Sequence, residues 1–303
     1  MLLHICRRSP LLTLLQCFEM PKPLTLHPIQ NLATMLKIFI AVLLLFPPFF
    51  LMAQEENWDV YMARYKNKPS SVTLNMALKS VAPVEVLPFI VITGVSFKNC
   101  DEDGMPSKRE FTNLYKISDS VKAVVDRLAK NNLVGSFTYL CQRLDYFYVS
   151  DTVGLRQQLT ALYKEKFTQY IPYYINIKED KTWAAYLDFL YPNEESYEFM
   201  QNQKMVTALQ NGGDKLIKER LIDHWLYFKT DTDRNCFIIY ATKQKFKIVA
   251  KERSSDPKAP FKLHIARTNK VDVPSISKIT IELKRQAKKC NGEYDGWETF
   301  VVK

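Results

Sequence analysis

Residues 223–243, DHWLYFKTDTDRNCFIIYATK, change structural period within a few positions. Asp223 to Phe228 is a dense aromatic run of strand length, and Thr230 or Asp231 then caps a helix that the spacing carries through Lys243. Downstream, Phe246 to Lys251 (FKIVAK) and Phe261 to Ala266 (FKLHIA) alternate apolar and polar residues as half-buried strands do, with a Ser254-Ser255-Asp256-Pro257 turn between them. A helix follows Pro274, with Ile276, Ile279, Leu283, Ala287 and Cys290 on one stripe, and Tyr294 to Val302 closes the chain as a strand. The order is βαββαβ, which predicts an α+β, ferredoxin-like unit over 212–303.

Upstream residues repeat that order. Trp58 to Tyr65 and Ser71 to Leu78 form an extra N-terminal hairpin. Then come a strand over 87–97, a helix over 107–130, strands over 133–141 and 144–149, a helix over 152–167 and a strand over 171–177. Two tandem ferredoxin-like units are therefore expected, the first over 54–192. Residues 193–211 read as a linking helix, and Asn211-Gly212-Gly213 as its stop and a flexible joint.

Before these units stands a leader over 1–53. Residues 38–52, IFIAVLLLFPPFFLM, follow Lys37 and precede Ala53-Gln54-Glu55-Glu56, the pattern of a signal peptide cut after Ala53. The long segment before Met35 suits no n-region, so translation is expected to start at Met35. A stable span needs about 20 apolar residues, and Pro47-Pro48 interrupts this run, so the mature protein is expected to be exported to the periplasm or beyond, without an anchor. An unused leader would leave it cytoplasmic.

Composition narrows the chemistry. The 303 residues include six Cys and four His with no close pairing, so neither a metal site nor a cofactor is expected. No GxSxG, P-loop or Rossmann glycine pattern occurs. Net charge divides as +3 for 1–53, −1 for 54–211 and +8 for 212–303. The basic excess points to a protein partner with an acidic surface, met through Lys284, Arg285 and Lys288 on the last helix.

Gly213-Asp214-x-Leu216 with Arg220, then Asp223-His224-Trp225-Leu226-Tyr227-Phe228, and Tyr294-Asp295-Gly296-Trp297-Glu298-Thr299 near the end form a spaced set. On it, residues 212–303 resemble the family of the regulator of ribonuclease E activity B. The segment from Trp58-Asp59-Val60-Tyr61 to Tyr191-Pro192 resembles a domain of unknown function found joined to such regulators. The resemblance implies a non-catalytic regulator that binds a ribonuclease in the cytoplasm, a setting from which the leader departs.

The motif residues Asp223, His224, Trp225, Asp295 and Trp297 are the candidate site. Aromatic packing across strands is the ordinary reading of Trp225, Tyr227, Tyr294 and Trp297. A hydrolase using Asp223, His224 and Asp295 is one alternative, although neighbours on a strand point to opposite faces. A nucleic-acid binder using the basic helix from Lys278 to Lys289 is another; against it, the third strand carries only Phe261 as an aromatic where RNA-recognition modules stack bases. Antiparallel helices would bring Cys236 near Cys290, with Cys100 and Cys141 as a companion pair; bridged and buried free thiols both remain open.

Overall fold

The computed structural model describes residues 2–3 and 56–303. The h-region, Met35 and the Ala53–Gln54 cut lie outside the described residues. Among those described, no helix is long and apolar enough to cross a membrane. The architecture is α+β, with two antiparallel sheets.

After the two-residue strand β1 (Leu2–Leu3), the first module comprises β2 (Trp58–Tyr65), β3 (Lys68–Asn75), β4 (Phe89–Ser96), α1 (Lys108–Leu128), β5 (Asn131–Tyr139), β6 (Gln142–Val149), α2 (Leu155–Lys166) and β7 (Tyr173–Glu179). Its sheet runs β2-β3-β5-β6-β4-β7. The last four strands are thus in second-third-first-fourth order, and the hairpin adds to their edge. Both hairpin turns are tighter than the sequence spacing implied. Lys66 and Asn67, and likewise Leu140 and Cys141, all have positive φ, the two-residue turn whose twist matches its flanking strands. Strand β3 therefore starts at Lys68, not Ser71, and β6 at Gln142, not Leu144.

Alternation along the strands gives this sheet two cores. Val91, Val95, Phe147 and Val149 pack against Leu114, Val121 and Leu159 of the helices. On the opposite face Leu74, Ile90 and Tyr148 meet Trp183, Tyr186 and Leu190 from the segment after β7. There the Tyr148 and Trp183 rings stack at 4.0 Å, and the Tyr148 hydroxyl donates to Asp180 at 2.6 Å.

The second module comprises α3 (Glu194–Asn211), β8 (Arg220–Phe228), α4 (Asp231–Lys243), β9 (Lys247–Arg253), β10 (Phe261–Asn269), α5 (Val273–Lys289) and β11 (Gly292–Phe300). Its sheet order is β1-β11-β8-β10-β9, so the first and last long strands are central neighbours. Leu226, Phe228, Leu263 and Ile265 pack beneath Phe237, Ala241, Leu283 and Ala287 of α4 and α5.

Helix α3 is not a free linker. Met205, Val206 and Leu209 share a core with Ile222, Ile276 and Trp297, placing the helix on the second sheet. Gly212 and Gly213 form a turn within this module, Gly213 at φ 92°. Asp214 then pairs with Arg220 and accepts from the Leu216 and Val302 amides, each at 2.8 Å. Met200, nearer the start of the same helix, packs into the first module's core with Trp183 and Tyr186, so α3 is buried against both modules.

Candidate functional site

Strand β8 sorts the motif by parity. Ile222, His224, Leu226 and Phe228 are fully buried toward the helices, while Asp223, Trp225 and Tyr227 point to the opposite face of the sheet. In β10, register places His264 opposite Trp225 and Lys262 opposite Tyr227. The Trp225 and His264 rings stack at 4.8 Å with 15° between planes. His264 Nε2 lies 2.6 Å from Asp223 Oδ1, which holds the imidazole against the indole. Side-chain exposures of 21% for His264 and 26% for Asp223 leave the trio within reach of a partner.

The electrostatics of this face follow from its register. Glu298 is opposite Asp223, Glu293 opposite Tyr227, Glu252 opposite Lys262 and Lys247 opposite Ala266. Four carboxylates thus share the face with two lysines, one of which, Lys262, lies 3.5 Å from Glu252. The positive charge of the module lies elsewhere.

His224 has a different role. Its Nδ1 is 2.9 Å from the Tyr294 hydroxyl, and its Nε2 has no hydrogen-bond partner. Burial, reinforced by Arg267 and His264, depresses its pKa to about 3, so the ring is neutral and serves the core. Asp295 sits where β11 slips register between Tyr294 and Gly296, a bulge that re-aims it toward a cleft with Glu198, Gln201 and Asn202. Asp223, His224 and Asp295 therefore do not form one acid–base group: the first bonds to His264, the second to Tyr294, and the third lies beside α3.

Trp297 is buried, and its Nε1 donates to Asn202 Oδ1 at 2.8 Å. The basic helix face is engaged within the chain. Lys284 meets Glu198 at 3.4 Å, Arg285 pairs with Glu195, and Lys288 meets Glu194 at 2.5 Å. These cations find their carboxylates on α3, beside the buried Asn202 contacts to Ser277 and Thr280 that join the same two helices. The cysteines are bonded, Cys236 to Cys290 and Cys100 to Cys141, with Cα separations of 5.8 and 5.7 Å. Among the described residues, no group of three His, Cys, Asp or Glu side chains is placed to hold a metal.

His264 was not singled out in the sequence. The signal was present in FKLHIA, whose alternation puts Lys262 and His264 on the polar side, but the strand register that brings His264 to Trp225 is a tertiary fact.

The described residues form two tandem α+β modules, one carrying an aromatic and acidic sheet face, and comparison with known families agrees with that division. Residues 199–299 match the model described as "Regulator of ribonuclease activity B", and residues 56–191 match "Family of unknown function (DUF695)". The second module thus resembles the ribonuclease regulators, and the first the family of unknown function. The former match begins within α3. No curated protein matches the chain. Among solved structures, the crystal structure of an unknown protein from Galdieria sulphuraria is 10% identical and aligns over 71% of this chain and 99% of its own, at a TM-score of 0.20.

Proposed function

We propose that this protein is a non-catalytic regulator that acts by binding another protein, with each βαββαβ unit a ferredoxin-like sandwich and the sheet face around Trp225 as the contact surface. The observation that carries this reading is the Trp225–His264 stack pinned by Asp223 on the side away from the helices. Interface centres favour a rigid, part-exposed aromatic with satisfied polar neighbours. The similarity of residues 199–299 to ribonuclease regulators supports a protein partner. The acidic surplus on this face favours a basic patch on that partner, in place of the acidic surface expected from net charge. The same surplus opposes a phosphate backbone, which speaks against nucleic acid. The leader pattern and two disulfides support an exported protein, for which a cytoplasmic ribonuclease would not be the target.

A photoreactive residue at Leu221, which is exposed at the edge of this face, should crosslink the partner. Trp225→Ala should then weaken the purified complex about tenfold or more, the loss usual for a central anchor. His264→Ala should do likewise, both variants keeping their circular dichroism. Unchanged affinity in Trp225→Ala, or a hydrolytic activity lost in Asp223→Asn, would sink this reading.

A further inference from the structure

Strand β2 ends the first sheet and, among the described residues, has no strand on its outer side. The two-residue turn at Lys66-Asn67 makes Tyr65 and Lys68 a hydrogen-bonded pair, so by alternation Tyr65, Ala63, Tyr61 and Asp59 direct their backbone groups at β3. Those of Trp58, Val60, Met62 and Arg64 point outward. The Val60 amide donates locally, to Asp59 Oδ1 at 2.9 Å. Side chains of the same four residues share one face and are exposed, Val60 at 57% and Met62 at 56%.

Natural sheet edges are usually blunted by charge, as β9 is by Lys247, Lys251, Glu252 and Arg253. The middle of β2 carries no charge on its exposed face. Asp59, on the other face, is neutralised by Lys204 of α3. Beyond the edge, Phe199, Gln203 and Thr207 of α3 stand back across an open cleft of about 430 Å³.

The strand is complementary to itself. If β2 pairs with β2 of a second copy about a twofold axis normal to the sheet, the axis must pass through a residue for facing side chains to share a face. Centred on Met62, it sets Val60 against Arg64 and Trp58 against Lys66. Centred on Tyr61, it sets Val60 opposite Met62, Trp58 opposite Arg64 and Glu56 opposite Lys66. Apolar then meets apolar, an indole meets a guanidinium and a carboxylate meets an ammonium, each pair made twice by symmetry. Trp58 Nε1 donates to Glu56 Oε2 at 2.8 Å, so the indole and the carboxylate are presented together. We propose that this protein is a homodimer joined through its β2 edges about an axis at Tyr61, the two six-stranded sheets forming one. The inference makes no use of the Trp225 face and stands or falls apart from that reading.

Sedimentation equilibrium of the full chain over a dilution series should show a dimer that dissociates on dilution. Carbodiimide treatment of that dimer should couple Glu56 to Lys66. Within one chain these residues sit at opposite ends of the strand, about 30 Å apart at roughly 3.3 Å per residue, so such a link joins two copies. Val60→Lys with Met62→Lys, at exposed positions, should weaken the dimer about a hundredfold or more, with circular dichroism unchanged. Mixing that variant with a Val60→Glu, Met62→Glu chain should restore a dimer containing one copy of each, which a merely misfolded edge would not do. A chain that is monomeric at every concentration overturns the proposal, as does a dimer without Glu56–Lys66 coupling or one that survives the paired lysines. If the monomer instead takes up an unrelated strand at β2, the edge serves a different partner and the proposal fails.

Discussion

Trp297 Nε1 donates to Asn202 Oδ1 at 2.8 Å, joining the last strand to α3 across 95 residues of sequence. Asn202 also donates through Nδ2 to Thr280 Oγ1 at 2.8 Å and Ser277 Oγ at 3.2 Å. Both Asn202 and Trp297 are buried, so this amide is the polar hub of the contact among α3, α5 and β11. Asn202→Ala should destabilise the second module by about 2–4 kcal/mol, since it opens a small cavity and strands three buried polar groups. Urea unfolding followed by Trp fluorescence measures it. The same contact predicts that a fragment starting at residue 212 stays unfolded while one starting at 193 folds.

His224 links stability to pH. Its folded pKa of about 3 lies below the unfolded value near 6.5, so between these limits the unfolded chain binds the extra proton. Its contribution is therefore complete above pH 6.5 and declines as pH falls toward 3, by up to about 1.4 kcal/mol per unit. Asp214 is held at about 2 chiefly by Arg220, while burial raises Asp145 and Lys288 lowers Glu194, so in the window from 6.5 to 4 it is the difference between wild type and a His224 variant that reports the ring. Stability curves at stepped pH should slope in that window for wild type and flatten for His224→Phe. An equal slope in both would show that the ring does not stay neutral.

The parity of DHWLYF already separated His224 from Asp223, and the βαββαβ order of both modules was legible because alternating and helical periods change at Gly, Pro and Ser clusters. The position of α3 was not. Its stripe of Met200, Met205 and Leu209 announces a buried side without naming the core that buries it, and Gly212-Gly213 resembles a hinge until Asp214 is seen closing the turn. Lysines on α5 likewise read as a free basic face because their carboxylates lie some 90 residues earlier in the chain.

Those lysines differ in weight. Glu198 is nearly inaccessible, at 2% side-chain exposure, and Lys284, at 22%, is the cation beside it. Lys284→Met should cost about 1–3 kcal/mol by leaving a buried carboxylate less compensated. Lys288→Gln and Arg285→Gln remove solvent-screened pairs and should leave the urea midpoint within error of wild type. Equal losses at all three positions would mean that α3 is held by net charge, not by the Lys284 contact.

Cys236 in α4 is bonded to Cys290 at the end of α5, closing a loop across a sequence separation of 54. A crosslink over that span restricts the unfolded chain and should stabilise the second module by roughly 4 kcal/mol in the chain-entropy model. The paired change Cys236→Ser with Cys290→Ser should lower the midpoint accordingly, and wild type under reducing conditions should fall with it. The bond also bears on where the protein resides, because such bridges persist in oxidising compartments. Protein purified from its native source should begin at Gln54 or within a few residues of it, and its four remaining cysteines should resist alkylation until reduced. Intact mass before and after reduction measures both properties together. A chain beginning at Met1 or Met35 with thiols that react at once would refute export, and the bridges would then have to form by another route.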